Sequence, residues 1–284
     1  MIIIRIQGGL GNQLFQYAAA RNLAEQEGAE LKLDLLSFHS GQVRNLELSA
    51  FNFEPLQASL KEIKQFSRFP QLYRHNPVLF SKLGRHIYRE PFYHFDSNFL
   101  NLKDPVYLDG FFQSEKYFKA IEDIIRKEFI VKAELVKHLT EIINQWKDKE
   151  TVSVHIRRGD YTQKKYLAYH GLLTAEYFNQ SIKIISEKIN HPHFCFFSDD
   201  INWVKKNINI TASHTFISDF TKTAIEDFYL MSQCKHNIIA NSSFSWWAAW
   251  LNNNPKKNII APQKWFNEAP HNTKDLIPNG WICL

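Results

Sequence analysis

The chain of 284 residues has few cysteines, no long hydrophobic run and no internal repeat. Its three cysteines, Cys195, Cys234 and Cys283, are an odd number without the spacing of metal ligands, so we expect reduced thiols. No stretch approaches the ~20 apolar residues that cross a membrane. The first residues, Met1–Ile6, lack a basic leader, and their apolar run is too short for a signal peptide. These absences predict a cytoplasmic protein.

The composition is that of a soluble protein that can bury a sizeable core, with 44% hydrophobic and 22% charged residues. The net charge of +5 is unevenly distributed, because the segment 61–90 carries seven lysines and arginines against two glutamates. This segment is either a solvated helical face or a surface for an anionic or membrane-adjacent partner. Nucleic acid is disfavoured as a partner because no recognised binding motif accompanies the charge.

Short apolar segments alternate with helical patterns, which is typical of α/β domains with parallel sheets. The polar stretch Lys147–Glu150 separates two such series, and we therefore predict two domains, at residues 1–148 and 149–284. Ligands of such sheets bind at the carboxyl ends of the strands, so we expect the active site in the cleft between the domains. Strands are predicted at 2–6, 30–35, 106–108, 152–156, 194–197, 214–217, 237–240 and 258–261, and helices include 115–146, 174–189 and 221–233.

A glycine-rich loop, Gly8-Gly9-Leu10-Gly11-Asn12-Gln13, joins the first predicted strand to the first predicted helix. Glycines at this place let the backbone approach a phosphate or a sugar. The loop lacks the last glycine of the dinucleotide fingerprint, because Leu14 stands at that position. Taken alone, the loop is equally well interpreted as a tight turn.

An arginine pair follows the predicted strand 152–156 in the block His155-Ile-Arg-Arg-Gly-Asp160. Two adjacent guanidinium groups are unfavourable unless anionic groups meet them, and the planar fork of arginine suits phosphate oxygens. Asp160 can neutralise one of Arg157 and Arg158, and we expect the other to lack a carboxylate partner. The block therefore favours an anionic ligand over a salt-bridge cluster.

Two neighbouring carboxylates, Asp199 and Asp200, follow the predicted strand 194–197. One carboxylate can accept hydrogen bonds from both N1 and N2 of guanine, or it can cap a helix that begins at Ile201. The Asp-x-Asp spacing of metal-dependent transferases is absent, and turn chemistry explains the pair His191 and His193 better than a metal does. We therefore predict no metal site.

Small hydroxyl residues begin a helix in the segment Asn241-Ser-Ser-Phe-Ser-Trp-Trp247, directly after the predicted strand 237–240. At a helix N-terminus such residues offer backbone and side-chain donors to a phosphate. Ser243 or Ser245 can also merely cap the helix while the tryptophans pack into the core. Both interpretations can hold together.

Taken together, these blocks resemble the α-1,2-fucosyltransferase family of bacterial surface-glycan synthesis. The glycine loop, the arginine block, the turn Phe197–Asp200 and the segment Asn241–Trp247 occur in the family's order, and Asp109–Tyr117 resembles a further family segment. The resemblance extends from residue 2 to about residue 250. Its most specific element is the arginine block, which α-1,6- and protein O-fucosyltransferases share.

The resemblance implies an α/β fold of two facing Rossmann-like domains (GT-B type), with the acceptor on the N-terminal domain and the GDP-sugar on the C-terminal one. It implies inverting, metal-independent transfer of L-fucose from GDP-β-L-fucose, a co-substrate, to an acceptor glycan at the 2-hydroxyl of galactose. Arg157 would contact the β-phosphate, Asn12 would lie close to the transferred bond, and Asp160 would brace the arginines. The implied donor-binding residues are Gly9, Gly11, His155, Arg158, Asp199, Asp200, Asn241, Ser242, Ser243, Phe244 and Ser245.

The resemblance also implies an acceptor oligosaccharide, with lipid linkage and peripheral association at the inner face of the membrane as further expectations. The base that takes the acceptor's proton is unassigned, and its candidates are Asp160, Asp109 and Glu115. Another nucleotide sugar or linkage stays open. Two functions outside the transferases also stay open: a nucleotide-dependent dehydrogenase using the glycine loop, and a non-catalytic glycan-binding protein using the many aromatic residues.

Overall fold

The chain folds as two compact units, each built on a parallel sheet. The computed structural model describes residues 1–39, 45–66, 86–159, 164–267 and 272–284. The first unit comprises Met1–Ile130 and Asn272–Pro278, and the second comprises Val131–His271 and Asn279–Leu284. The α/β class predicted from the sequence agrees with both sheets.

The first unit is centred on β1 (Ile2–Arg5), whose four residues are all buried. It lies between β2 (Leu31–Asp34) and β5 (Val106–Asp109), with parallel pairing on both sides. Within the described residues the sheet has five strands in the order β3-β2-β1-β5-β4. The other elements of this unit are β3 (Leu56–Gln57), β4 (Ile87–Arg89), α1 (Leu10–Glu27), α2 (Leu60–Phe66), α3 (Glu122–Glu128) and short 3-10 helices at Leu36–His39, Leu48–Ala50, Ser97–Asn101, Glu115–Tyr117 and Lys119–Ile121.

The second unit is centred on β6 (Glu150–Ile156), which pairs with β7 (Pro192–Ser198) and β9 (His236–Ile238). Its apolar residues pack in one buried cluster with α7 (Ala175–Lys188), as expected for a parallel strand covered by a helix. In the described part of the chain this sheet has six strands in the order β11-β10-β9-β6-β7-β8. The remaining elements are α4 (Ala133–Val136), α5 (Thr140–Asn144), α6 (Lys164–His170), α8 (Ile201–Asn207), β8 (His214–Phe216), α9 (Ala224–Gln233), α10 (Ser243–Leu251), β10 (Ile259–Ala261), β11 (Ile282–Cys283) and 3-10 helices at Lys137–Leu139 and Ile217–Asp219.

The boundary between the units differs from the prediction, because the chain divides after Ile130 rather than after residue 148. In the polar stretch Lys147–Glu150, the first three residues form a turn that leads into β6, and Glu150 begins that strand within the second unit. The prediction of one continuous helix over 115–146 is also wrong, because several separate short helices occupy this range. Its apolar positions serve two cores, since Ile125 is buried in the first unit and Leu139 in the second.

Residues Asn272–Pro278 return to the first unit, which no pattern in the sequence indicated. Asp275 holds this segment in place: its Oδ2 accepts a hydrogen bond from the backbone N–H of Phe95 at 3.2 Å, and its Oδ1 lies 2.5 Å from Nζ of Lys116. The hydroxyl of Ser114 donates to the carbonyl oxygen of Asp275 at 2.7 Å. Residues from near the C-terminus therefore pack with the first unit and belong to it.

Candidate active site

Three of the predicted blocks meet at the carboxyl edge of the second sheet. They follow β6, β7 and β9, which are neighbours in the order β9-β6-β7. The Arg157–Asp199 ion pair joins the first two blocks, with 3.3 Å between Nη1 and Oδ2. The ring centres of His155 and Phe244, 5.7 Å apart, join the first and third. Strand order therefore brings together residues that are up to about 90 positions apart in the sequence.

Asp199 organises the arginine loop. Besides its contact with Arg157, its Oδ1 accepts a hydrogen bond from the backbone N–H of Arg158 at 2.7 Å. A Cβ at Gly159, the next position, would lie 2.6 Å from Oδ2 of Asp199, so a larger residue there would displace this carboxylate. The carboxylate thus fixes both the backbone and one guanidinium group of this loop.

Arg158 is held by two different groups. Its Nε lies 3.7 Å from Oδ2 of Asp200, and its guanidinium carbon lies 3.9 Å from the ring centre of Trp203. The other oxygen of Asp200 accepts from the backbone N–H of Trp203 at 3.0 Å and caps α8. The capping role considered for this turn is therefore confirmed for Asp200.

The expectation that one arginine lacks a carboxylate partner was wrong. Arg157 contacts Asp199, and Arg158 lies beside Asp200. These partners come from the next strand of the sheet, about 40 residues along the chain, so no local pattern in the sequence indicates them. Asp160, the partner expected from the sequence, lies outside the described residues.

His155 is a neutral, buried imidazole at the end of β6, with 6% of its surface exposed. Burial, followed by the positive charge of Arg157, lowers its pKa to about 3. Its Nδ1 has no hydrogen-bond partner among the residues that the structure describes. A neutral ring with such a nitrogen can offer a hydrogen bond to a base or a sugar without adding charge.

The segment after β9 is anchored by Asn241 and leads directly into α10. The Nδ2 of Asn241 donates to the carbonyl oxygens of His170 at 2.9 Å and Trp265 at 3.2 Å. Ser242 occupies the N-cap position without a side-chain capping bond, and Ser243 begins the helix. The tryptophans of this helix are buried, as the packing interpretation predicted: Trp246, Trp247 and Trp250 are at most 3% exposed. Contact of Ser242, Ser243 and Ser245 with a phosphate stays a prediction.

In the first unit, the glycine loop lies at the carboxyl end of β1. Gly8 has a φ of +81°, and a Cβ there would lie 2.7 Å from Nδ2 of Asn12, so this position requires glycine. A Cβ at Gly9 would meet nothing within 4 Å, whereas Gly11 is buried in the first turn of α1. Oδ1 of Asn12 accepts a hydrogen bond from Nε2 of Gln113 at 2.7 Å.

Glu90 at the end of β4 is a residue that the sequence analysis missed. Its carboxylate accepts hydrogen bonds from the backbone N–H groups of Phe111 at 2.7 Å and Phe112 at 3.0 Å. Burial raises the pKa of Glu90 to about 7 and nearby Asp109 adds to the rise, although these hydrogen bonds oppose it. Only its tertiary contacts with the loop that follows β5 distinguish this glutamate from other acidic residues of the chain.

Two candidates for the catalytic base have ionic partners. Asp109 is buried, with its Oδ1 3.4 Å from Nη1 of Arg5. Oε2 of Glu115 lies 3.3 Å from Nζ of Lys119 on the surface. Neither contact tests a role as base, and the assignment stays open.

Possible metal ligands do not cluster in the described residues: no group of three or more histidine, cysteine, aspartate or glutamate side chains could hold an ion there. Both ring nitrogens of His193 contact hydroxyls, those of Ser213 at 2.8 Å and Thr215 at 3.0 Å. No helix in the described ranges is long and apolar enough to cross a membrane. Of the basic segment 61–90, residues 67–85 lie outside the description.

The chain matches the sequence model of a known protein family. Residues 80–284 match the family described as Glycosyl transferase family 11. The chain belongs to this family. The predicted glycosyltransferase class is thereby confirmed, whereas the fucose specificity stays a proposal, and a glycosyltransferase is favoured over the dehydrogenase and the non-catalytic glycan-binding protein.

Relatives named as glycosyltransferases align with most or all of this chain. An Escherichia coli protein named alpha-1,2-colitosyltransferase is 35% identical over 303 residues, covering 100% of this chain and 99% of its own length. The O-antigen biosynthesis glycosyltransferase WbnK of Escherichia coli is 33% identical, with 98% and 99% covered. Human galactoside alpha-(1,2)-fucosyltransferase 1 is 28% identical, covering 86% of this chain and 63% of the human protein. The family is therefore clear, whereas the relatives' names differ in the sugar transferred.

Solved structures share the fold of this glycosyltransferase. The fucosyltransferase NodZ from Bradyrhizobium has a TM-score of 0.51 at 14% identity, covering 87% of this chain and 90% of its own. The FUT1 protein of Arabidopsis thaliana in complex with GDP also has a TM-score of 0.51, at 12% identity, with 92% and 70% covered. At these identities the similarity concerns the fold alone.

Proposed function

We propose that the protein transfers L-fucose from GDP-β-L-fucose to the 2-hydroxyl of a galactose in an acceptor glycan. The observation that carries this proposal is the convergence of His155, the arginine loop and the start of α10 at one sheet edge. The family and the alpha-(1,2)-fucosyltransferase relative support the reaction class. The relative named for O-antigen biosynthesis supports an oligosaccharide acceptor in surface-glycan synthesis.

In the proposed reaction the acceptor oxygen attacks C1 of fucose. The bond from C1 to the β-phosphate oxygen breaks, GDP departs, the configuration at C1 inverts from β to α, and the hydroxyl proton passes to a base. Negative charge grows on the β-phosphate as this bond breaks. The fork of Arg157 is suited to hold two phosphate oxygens and to bind them more strongly as the charge develops, which lowers the barrier.

The other predicted site residues keep, in this proposal, the roles that the family resemblance implies. The start of α10, with Ser242 and Ser243, offers donors to the phosphates. His155 and one of Asp199 or Asp200 are proposed to meet guanine, as a neutral ring and a carboxylate. Asn12 in the first unit is proposed to act near the transferred bond.

A second candidate donor is GDP-colitose, because the relative named alpha-1,2-colitosyltransferase is 35% identical over the whole chain. Colitose is L-fucose without its 3-hydroxyl group. A site that hydrogen-bonds this hydroxyl rejects colitose, whereas a site that merely leaves room for it discriminates weakly. The two donors therefore differ by one group that an assay can examine directly.

The donor and linkage are tested by incubating the protein with GDP-fucose and GDP-colitose, each against a panel of galactosides and N-acetylhexosamines. We expect kcat/KM to be highest with GDP-fucose and a β-galactoside, and NMR of the product to identify an α linkage to O2. A product linked elsewhere, or turnover with GDP-colitose alone, would contradict the proposed donor or linkage.

The arginine role is tested by comparing Arg157→Ala, Arg157→Lys and Arg158→Lys in folded protein. Loss of a donor that stabilises developing charge lowers kcat by about 10²–10³. Arg157→Lys keeps the charge without the fork and should remain badly impaired. Arg158→Lys is the matched control and should stay within about tenfold of wild type, because lysine keeps the charge beside Asp200 and can still place it over the ring of Trp203. Nearly full activity of Arg157→Lys would contradict the two-oxygen contact.

A further inference from the structure

The loop after β5 carries a glutamine that contacts the predicted catalytic asparagine. Nε2 of Gln113 donates to Oδ1 of Asn12 at 2.7 Å, although the two residues are 101 positions apart. This bond determines which end of the Asn12 side chain faces Gln113. Nδ2 of Asn12 lies on the side of Gly8, where it is 2.7 Å from the place a Cβ would take.

The second polar atom of Gln113 is buried without a partner. Its Oε1 accepts no hydrogen bond from any residue that the structure describes. A buried carbonyl oxygen without a donor is unfavourable, and nearly all such groups in folded proteins have a partner, so we expect a donor from outside the described residues. Oε1 can only accept, so the group that satisfies it must be a donor such as a hydroxyl.

The loop that carries Gln113 is held rigidly. Glu90 accepts hydrogen bonds from the backbone of Phe111 and Phe112, and Nε2 of Gln16 donates to the carbonyl oxygen of Gly110 at 3.1 Å. A Cβ at Gly110 would lie 2.4 Å from the Cβ of Glu90, so only glycine fits there. A side chain on a fixed loop loses little conformational entropy on binding, which favours a binding role for Gln113.

We propose that Gln113 is a sugar-binding residue whose Oε1 accepts a hydrogen bond from one hydroxyl group of a hexopyranose. Its Nε2 at the same time keeps Asn12 in place, so the residue couples sugar binding to the orientation of that amide. The inference rests on the proposed function, which supplies two hexopyranoses: the fucose of the donor and the galactose of the acceptor. The shared chemistry is a sugar hydroxyl, and the experiment distinguishes the two sources.

The test measures whether the loss of affinity caused by removing a sugar hydroxyl depends on the presence of Oε1. Dissociation constants are measured by calorimetry for GDP-fucose, GDP-colitose and GDP, and by NMR titration for methyl β-galactoside and its monodeoxy analogues. The proteins are wild type, Gln113→Met, which keeps the side-chain size, and Gln26→Met as the matched control. Gln26 also makes one hydrogen bond, to the carbonyl oxygen of Leu100, and lies 14 residues along α1 from Asn12, about 21 Å.

We expect one hydroxyl whose removal weakens binding to wild type and to Gln26→Met by roughly 5- to 30-fold, but changes binding to Gln113→Met by less than about twofold. A coupled hydroxyl in the donor pair assigns Oε1 to fucose O3, and one in the galactoside series assigns it to the acceptor. The dissociation constant of GDP should be the same for all three proteins, because the proposed GDP contacts lie in the second unit. An unchanged far-UV circular dichroism spectrum and thermal unfolding curve show that the first unit of Gln113→Met is folded.

The inference is overturned if, for every analogue, removal of the hydroxyl weakens binding to Gln113→Met by the same factor as binding to wild type. It is also overturned if the wild-type protein binds none of these sugars. Binding and turnover separate this proposal from the proposed function. Coupled binding without transfer of fucose leaves the role of Gln113 standing and refutes the proposed function. Transfer of fucose, together with equal losses of affinity in wild type and Gln113→Met, refutes the role of Gln113 and leaves the proposed function standing.

Discussion

Burial of His155 beside Arg157 predicts that the second unit loses stability in acid. The folded protein keeps this imidazole neutral, with its pKa lowered from 6.5 to about 3 by burial and by the arginine charge. The unfolded chain takes up a proton near pH 6.5 and the folded chain does not, so stability is complete above that pH and is lost as the pH falls. At pH 5.0 the loss amounts to about 2 kcal/mol, from the 1.5 pH units below 6.5.

The perturbation that isolates this effect is His155→Phe, which keeps a ring beside Phe244 and removes the titrating nitrogen. The matched control is His214→Phe, the same exchange at an exposed position of the same sheet. We expect wild type and the control to lose about 2 kcal/mol more between pH 7.5 and 5.0 than His155→Phe does. With an m-value of about 2 kcal/mol per M, the difference is an urea midpoint shift of about 1 M.

Tryptophan fluorescence reports this transition cleanly, because all seven tryptophans lie in the second unit. Urea unfolding is followed at several pH values from 7.5 to 5.0 for the three proteins. An equal acid loss in wild type and His155→Phe would refute the argument that a buried neutral histidine carries the effect. An equally reduced loss in His214→Phe would show that any histidine in this sheet produces it.

Three further predictions concern other parts of the molecule. Activity should be unchanged by EDTA, and loss of activity that Mg²⁺ or Mn²⁺ restores would contradict the metal-independent reaction. Trp203→Ala should raise the donor KM by about 3- to 10-fold, because the ring that stacks on Arg158 is lost, and Trp203→Phe should restore a lower KM. Equal donor KM values in the two variants would exclude a role for this stacking in donor binding. Because the pKa of Glu90 is raised from 4.5 to about 7, the first unit should lose up to about 3 kcal/mol as the pH rises through this range, and Glu90→Gln should remove the loss. Hydrogen exchange of the Phe111 and Phe112 amides measures it, and an unchanged pH dependence in Glu90→Gln would contradict the assignment.

Local patterns in the sequence were sufficient for the class of fold and for most strands. The predicted strands at 106–108 and 152–156 lie within β5 and β6, because a buried parallel strand reads as a short apolar run wherever it occurs. The strands β3, β4 and β11 were missed because their residues are exposed or half-buried and form no apolar run, unlike the fully buried β9 and β10. The same locality explains why the candidate blocks could be identified in the sequence: each follows a strand directly, at the edge where parallel sheets bind ligands.

What the sequence by itself determined is therefore the α/β class, the glycosyltransferase class and the blocks that meet at the carboxyl edge of the second sheet. Only the tertiary structure decided which groups these blocks meet. Asp199 holds the arginine loop from 41 residues away, and Gln113 holds Asn12 from 101 residues away. Strand order sets such pairings, and strand order leaves no periodic trace in the chain. The division of the units after Ile130 has the same cause, because a single apolar period continues across the boundary while its residues pack into two separate cores.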